Sequence, residues 1–503
     1  MQKKSGICLS YLNIFLKNLS TFLYTPFLIR MLGQIDYGLY QMTTSFMTTL
    51  FVLHLGFSTA YIKFYAEDFR NQKKLKQLNG MYLLIFLFLT LLSFGVGVFI
   101  LLHIDNVFGQ SFTSNELLTV KQLIKLLIIN IVLTFPSVYF DCYILANEQF
   151  KIQKLQDVLI TLLVPILTLP FLLLKFKVVT IVCIQVFVTF IFLLAKCKVA
   201  CIDLDMRFSF KDLKIKKFKS LFLFSAFIFI NQFVDVINWN LPNFVLGITS
   251  GAKEVSIYGV ANQIKNIFLT ISTAISSVYI PQVYKVGTEH NKIEKLSQLM
   301  CQIGEIQFLI VGYLFGGFII LGTYFIQLWV GSSYDQAYFI SILLIIPLII
   351  PAIQSIGMEI IRLFNKHKVV SLVALSFSFL NILITFFFTS KIGIVGSVLG
   401  TFVTMLIVNG VFMNVYYCKV IKLNMNLFWQ KMVKIAFLVF GTTIICGFFT
   451  QLCPINSITV FILFGIGYTI IYLVFASLFI FNSYDRKRIW TFLSKKIRRR
   501  ENL

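Results

Sequence analysis

Long runs of apolar residues alternate along the chain with short stretches that hold most of its charge. The runs lack the two-residue alternation of strands, and most lack the polar stripe of helices resting on a soluble core. Hydrocarbon leaves no partner for an unpaired backbone N–H or C=O, so a spanning segment is a helix or part of a closed barrel. A barrel strand needs only about ten alternating residues, so runs of this length predict helices. The pattern predicts fourteen of them, at 8–32, 37–62, 80–103, 120–145, 156–174, 178–200, 219–247, 254–281, 304–330, 336–361, 368–389, 393–417, 429–449 and 456–481. The fold class expected is an all-α polytopic membrane protein.

Composition agrees with the pattern. The 503 residues are 58% hydrophobic and 13% charged, with a mean hydropathy of +0.87, against a charged fraction of about 25% in soluble domains. The net charge of +24 raises nucleic acid as a partner, and the placement of the charges argues against it. Basic clusters recur at alternate ends of the runs, as the positive-inside rule requires of membrane orientation. With the N-terminus in the cytoplasm, that side receives Lys63 to Lys76, Lys151 and Lys154, Lys196 to Lys219, Lys285 to Lys295, Arg362 to Lys368, Lys419 to Lys434 and the basic tail 484–503. Both termini are therefore expected inside. The start MQKKSGICLSYLNIFLKNLS has no small-residue cleavage site and reads as a retained first span. The longest exterior connection expected is 104–119, too short for a folded domain, so function is sought within the bundle. The nine cysteines and four histidines are scattered, without CxxC or HExxH spacing, and imply no disulfide framework, metal site or cofactor.

One charged cytoplasmic segment, 201–218, follows the sixth span, and the text on its two sides is related. Span one reads Asn13-Ile-Phe-Leu-Lys17, then Pro26 and Asp36-Tyr37-Gly38; span seven reads Asn231-Gln-Phe-Val-Asp235, then Pro242 and Ser256-Ile-Tyr258-Gly259. The next spans end in Ser58-Thr-Ala-Tyr61-Ile62 and Ser276-Ser-Val-Tyr279-Ile280. Same-direction repeats are one way transporters build two lobes about a cavity. The organisation expected is a six-helix lobe over 1–200, a linker over 201–218, a second six-helix lobe over 219–417, two more helices within 418–483 and the tail 484–503.

Fourteen spans, the break after the sixth, Pro26 followed by Tyr37-Gly38-Leu39-Tyr40, and the Ser-x-x-Tyr ending of span two together resemble the polysaccharide-exporter family. Its members flip lipid-linked O-antigen or capsule repeat units, within the multidrug/oligosaccharidyl-lipid/polysaccharide exporter superfamily. The resemblance implies a protein of the bacterial plasma membrane whose two lobes form a V and alternate between inward and outward openings. It implies a polyprenyl-diphosphate-linked oligosaccharide as cargo. A proton or sodium gradient, a polymerase and a chain-length regulator are the further partners considered, and the protein is expected to act as a monomer.

Ionisable groups inside spans cost on the order of 3 kcal/mol each even on a lenient scale, so each needs a reason. Lys17 shares a helical face with Asn13, Ser20 and Tyr24; it is either a snorkelling lysine or a cavity cation. Asp235 has Asn231, Asn238 and Pro242 on its stripe and is either a structural carboxylate or a site for protonation or ion binding. Lys265, with Asn262 and Asn266 beside it, is either a partner for Asp235 or a cargo cation. The expectation is that Lys17, Lys265, Asn13, Asn231 and Asn262 line a wet cavity where the lysines attract the cargo's diphosphate. Asp235 competes for them, and Asp235 and Asp141 are the candidates for ion coupling or gating. Asp141 ends a polar face of span four with Asn130, Thr134 and Ser137, which is otherwise a packing face. Glu359 and Arg362, three apart, read as an interfacial pair.

Other classes fit less well. No GxxxxGK[ST] phosphate loop is present for an ATP-driven pump. A membrane glycosyltransferase or polysaccharide polymerase would place charged residues on a large exterior loop, so no enzyme is expected. Within the same superfamily, a multidrug exporter and a peptidoglycan-precursor or teichoic-acid flippase are the alternatives.

Overall fold

The computed structural model describes residues 2–211 and 215–480, and all of its regular elements are helices. The tail 484–503 lies outside the described residues. The helices are α1 (Gln2–Phe51), α2 (Leu55–Asp68), α3 (Gln72–Phe108), α4 (Ser114–Ala146), α5 (Phe150–Leu173), α6 (Val178–Lys198), α7 (Ile215–Thr249), α8 (Ala252–Val286), α9 (Lys292–Val330), α10 (Gln336–Ile353), α11 (Ser355–Leu363), α12 (His367–Met405), α13 (Met413–Tyr416), α14 (Met425–Leu452) and α15 (Ile458–Phe479).

Twelve stretches among the described residues are long and apolar enough to cross a membrane. Two of them, Leu16–Asp68 with 53 residues and His367–Ile421 with 55, rise about 80 Å at 1.5 Å per residue, more than twice the ~30 Å hydrocarbon core. Each is broken inside by a glycine. Gly33 has φ 79° inside α1, and Gly393 has φ 58° inside α12; only glycine adopts such values without a Cβ penalty. Each broken stretch therefore has the length of two crossings, and counted that way the described residues hold fourteen membrane-length segments, the number that the hydropathy pattern marks out.

The connections differ from expectation. In place of a loop over 104–119, α3 runs on to Phe108 and α4 starts at Ser114, so only 109–113 is non-helical. A capping box holds that start: Thr113 accepts from the Glu116 N–H, and the Glu116 carboxylate accepts from the Thr113 N–H at 2.7 Å. Two orphan donors are met without water. α3 and α9 also begin well before their apolar runs, at Gln72 and Lys292, because Lys, Gln and Leu sustain a helix beyond the hydrocarbon as well as within it.

The described chain forms two compact units, neither continuous in sequence. The first holds residues 1–260 and 373–401. At one end of it, Tyr61, Tyr82 and Tyr139 are fully buried, with ring centroids 4.8 Å (Tyr61–Tyr82) and 6.0 Å (Tyr61–Tyr139) apart. Tyr61 donates to Asn79 Oδ1 at 2.7 Å, and Asn79 Nδ2 donates to the Arg207 carbonyl at 2.9 Å. Ser209 N–H reaches the Lys76 carbonyl at 2.8 Å, over Gly80, where a Cβ would lie 2.3 Å from the Ser209 carbonyl oxygen. The segment after α6, a π-helical turn over Val199–Asp203 followed by non-helical chain, is thus fastened to α3 by its backbone. Asn79→Leu strands the Tyr61 hydroxyl and the Arg207 carbonyl. The expected loss is about 1–3 kcal/mol, read as a lowered unfolding temperature of the purified protein in detergent.

The second unit holds residues 261–372 and 402–503, of which those to 480 are described. Its centre is Gln307 of α9, fully buried, whose Nε2 lies 2.7 Å from Ser276 Oγ and 2.8 Å from Ser355 Oγ. Ser272 of α8 donates in turn to the Ala352 carbonyl at 2.7 Å. One amide therefore ties three helices, which is how polar side chains join helices where hydrophobic burial distinguishes little between partners. α14 and α15 pack on α9 through small residues: a Cβ on Gly312 would meet Val439 and one on Gly316 would meet the Tyr468 hydroxyl. Tyr468 and Tyr472 donate to the carbonyls of Tyr313 and Leu309 at 2.9 and 2.8 Å.

Candidate functional site

Lys17 is exposed on α1. The polar stripe around it faces α5: Asn13 Oδ1 accepts from Thr161 Oγ1 at 3.2 Å, and the Tyr24 hydroxyl is hydrogen-bonded to Thr168 Oγ1. These two rungs bracket Lys17 and fix the rotation of α1 on α5. Asn13 is therefore a bridge to Thr161 as well as a cavity candidate.

Asp235 is exposed on α7, between Val234 and Ile237, which are buried. The side chain of Asn231 lies outside the described residues. One turn beyond Asp235, Asn238 is drawn into helix packing: Asn381 Nδ2 donates to Asn238 Oδ1 at 2.8 Å and Thr385 Oγ1 donates to Asn381 Oδ1 at 3.0 Å. Thr401 Oγ1 donates to the Asn238 carbonyl at 3.3 Å, so α7 is held to both halves of the broken α12.

Lys265, in the second unit, is enclosed at 1% exposure, flanked on α8 by buried Ala261, Ile264 and Phe268. Asn262, one turn before it, is half-buried, and its Oδ1 is a buried acceptor without a donor. The candidates thus fall into two sets. Lys17 and Asp235 are open to their surroundings in the first unit, whereas Lys265 is shut in.

Asp141 has a partner that sequence reasoning missed. Lys196 of α6 lies 2.5 Å from its Oδ2, with side-chain exposures of 6% for the lysine and 16% for the aspartate. The sequence carries a signal, since each residue sits near the end of its helix on the same side of the bundle, but a lysine within a basic cytoplasmic cluster does not stand out from it. Glu359 and Arg362 pair at 2.6 Å as their spacing suggests, and Glu305 pairs with Lys431 at 2.9 Å.

The repeated Tyr-Gly text meets itself in the first unit. Tyr37 and Tyr258 are both fully buried. A Cβ on Gly38 would lie 1.9 Å from the Ala252 carbonyl oxygen, at the start of α8, and one on Gly259 would lie 3.0 Å from the Gln41 side chain. Beside them, Asn243 Nδ2 donates to Ser45 Oγ at 2.7 Å, Ser111 Oγ donates to the Ile248 carbonyl, and a Cβ on Gly247 would meet Met42. The second half of α1 is thereby sealed against the end of α7 and the start of α8 with no side chain between the backbones at Gly38. Small residues are what allow helices this approach in a membrane.

Among the described residues no three of His, Cys, Asp and Glu gather as a metal set. What the site offers is charge at membrane depth, polar helix seams and one tightly closed end.

Comparison with known proteins adds the following. A family model described as "Polysaccharide biosynthesis protein" matches residues 4–286. Among solved structures, the fold is similar to that of the lipid II flippase MurJ in an inward closed conformation, with TM-score 0.70, 18% identity, and coverage of 94% of this chain and 98% of that one. It is also similar to an inward-facing multidrug resistance MATE family transporter of the MOP superfamily, with TM-score 0.59, 14% identity, and coverage of 80% and 93%. At these identities the likeness concerns the fold. A search of curated proteins finds no match.

Proposed function

The chain belongs to the polysaccharide biosynthesis protein family, and from that membership we propose that it is a flippase. Its cargo is a polyprenyl-diphosphate-linked oligosaccharide repeat unit of O-antigen, capsule or exopolysaccharide type, moved from the inner to the outer leaflet of the bacterial plasma membrane by alternating access. The observation that carries the reading is Lys17, an amine exposed within a membrane-length helix of the family-matched stretch. A fold similar to that of a lipid II flippase supports it.

In this reading the N-terminal lobe 1–200 and the C-terminal lobe 219–417 rock about the linker 201–218, with α14 and α15 appended. Both termini are cytoplasmic. The Gly38–Ala252 seam then seals the exterior side. Lys17 attracts the diphosphate, and Lys265 and Asn262 receive it once the enclosure around Lys265 opens; cargo can shift the balance of states only by binding them unequally. Asp235 is where a proton or sodium gradient would act; Asp141, held by Lys196, would take part only on release from that pair. A polymerase and a chain-length regulator would take the product.

The test is Lys17→Glu. A hydrogen bond to a charged group contributes about 1.5–3 kcal/mol, so export of repeat units is expected to fall about tenfold or more with membrane insertion unchanged, and lipid-linked units to accumulate on the inner face. Unchanged export removes the support Lys17 gives. A deletion strain that keeps its surface polysaccharide but gains drug sensitivity overturns the cargo in favour of a multidrug exporter. One that loses peptidoglycan precursor at the outer leaflet points to a lipid II-type cargo.

A further inference from the structure

Between α1 and α5 runs a groove of about 420 Å³, lined by residues at steps of three and four on each helix, with Leu19, Leu23 and Phe27 on one wall and Leu162, Pro165 and Leu169 on the other. The two stripes face one another without filling the space. Leu23 and Leu173 remain 61% and 62% exposed. From Leu16 to Phe27 the α1 wall rises about 16 Å, and from Leu162 to Leu173 the α5 wall rises as far. That is about half of a ~30 Å hydrocarbon core, the depth of one leaflet. The rungs Asn13–Thr161 and Tyr24–Thr168 hold the walls in register, so the groove is built into the α1–α5 packing.

Its lining is almost wholly apolar, with Ser20 and Tyr24 the polar exceptions, yet Lys17 sits at the Leu16 end, exposed and on the helical face of Ser20 and Tyr24. A cation at the mouth of an apolar trough one leaflet long matches a lipid with an anionic head and a long alkyl chain. The geometry points to a lipid-chain site: an isoprenoid phosphate places its phosphate at Lys17 and lays its chain along the α1–α5 groove toward Phe27. The choice of isoprenoid over ordinary acyl chain rests on the flippase reading above. In that setting the groove keeps the chain beside α1 while the head is handed on, which makes Lys17 and the groove one substrate site rather than two.

The experiment uses the full chain in phosphatidylethanolamine and phosphatidylglycerol vesicles containing a minor fraction of polyprenyl phosphate. A photoreactive p-benzoylphenylalanine replaces Ile166 in the groove or, for comparison, Leu194, which is exposed on α6. Isoprenoid adducts at position 166 are expected about tenfold above the isoprenoid share of the bilayer, and at 194 in proportion to that share. Lys17→Glu is expected to bring position 166 down to the value at 194, and Leu23→Trp, a change at an exposed position that leaves the core untouched, to do the same by filling the trough. Equal isoprenoid fractions at the two positions, enrichment of phosphatidylglycerol instead, or enrichment indifferent to Lys17→Glu each overturn the proposal. Enrichment without repeat-unit export overturns the cargo and keeps the groove, whereas export without enrichment overturns the groove and keeps the cargo.

Discussion

Gly38→Leu is expected to abolish transport while the protein still inserts and accumulates in the membrane. The position has no room for a side chain: even a Cβ would stand 1.9 Å from a backbone oxygen of Ala252, and backbone cannot swing aside as a flexible side chain can. α1 and α8 must part by more than an ångström, which pulls on Asn243–Ser45 and on Gly259 against Gln41 in the same seam. Overpacking a tight contact costs about 1–3 kcal/mol and sometimes more, here spent on the closed arrangement rather than on insertion, since leucine only raises the hydropathy of the segment. Gly38→Ala is expected to weaken export in the same direction. A Cβ on Gly441 would meet nothing within 4 Å, so that position serves as the control, and Gly441→Ala is expected to leave export unchanged. On the proposed flippase reading, surface polysaccharide measured against protein level reads all three. Full export by Gly38→Leu would mean that the seam need not close.

Asp141→Asn is expected to lower stability by about 3–5 kcal/mol, the usual cost of stranding one member of a buried ion pair. The neutral amide leaves Lys196, almost wholly enclosed, with its charge and without a counter-charge at 2.5 Å. Replacing both members, Asp141→Leu with Lys196→Met, is expected to recover most of the loss, because two apolar side chains of similar size remove both desolvation terms. Unfolding in detergent of the parent protein, Asp141→Leu, Lys196→Met and the two changes together gives the coupling energy directly. A coupling below about 1 kcal/mol would place the pair among solvent-screened contacts and free Asp141 for the ion-coupling role considered for it.

Some of the site was legible in the chain and some was not, for one reason. The two Tyr-Gly segments could be found as repeated text, and Lys17 and Asp235 stood out because charge is rare in such runs. That Tyr37-Gly38 and Tyr258-Gly259 would pack in the same seam was not legible, because text carries no distance. Asp141 was seen and its partner was not: 55 residues separate it from Lys196, and nothing local relates the two. Asn79 and Gln307 carry no signal in the sequence, being single amides whose importance lies in what they touch. The Thr113-Ser-Asn-Glu116 capping box is spelled out in full, yet hydropathy alone predicts a connection there, because it marks where lipid ends rather than where a helix does.

The chain by itself determined that this is a helical membrane protein, how many apolar segments it holds, which connections carry the positive charge and which segments hold an ionisable group. Those properties are sums over neighbouring residues, and hydrocarbon enforces them segment by segment. Which helix faces meet, whether Lys17 is open and Lys265 enclosed, and that Gly38 abuts Ala252 were decided only in three dimensions. In a bilayer nearly every helix face is apolar, so the choice of partner falls to a few small or polar residues whose complements lie far away along the chain.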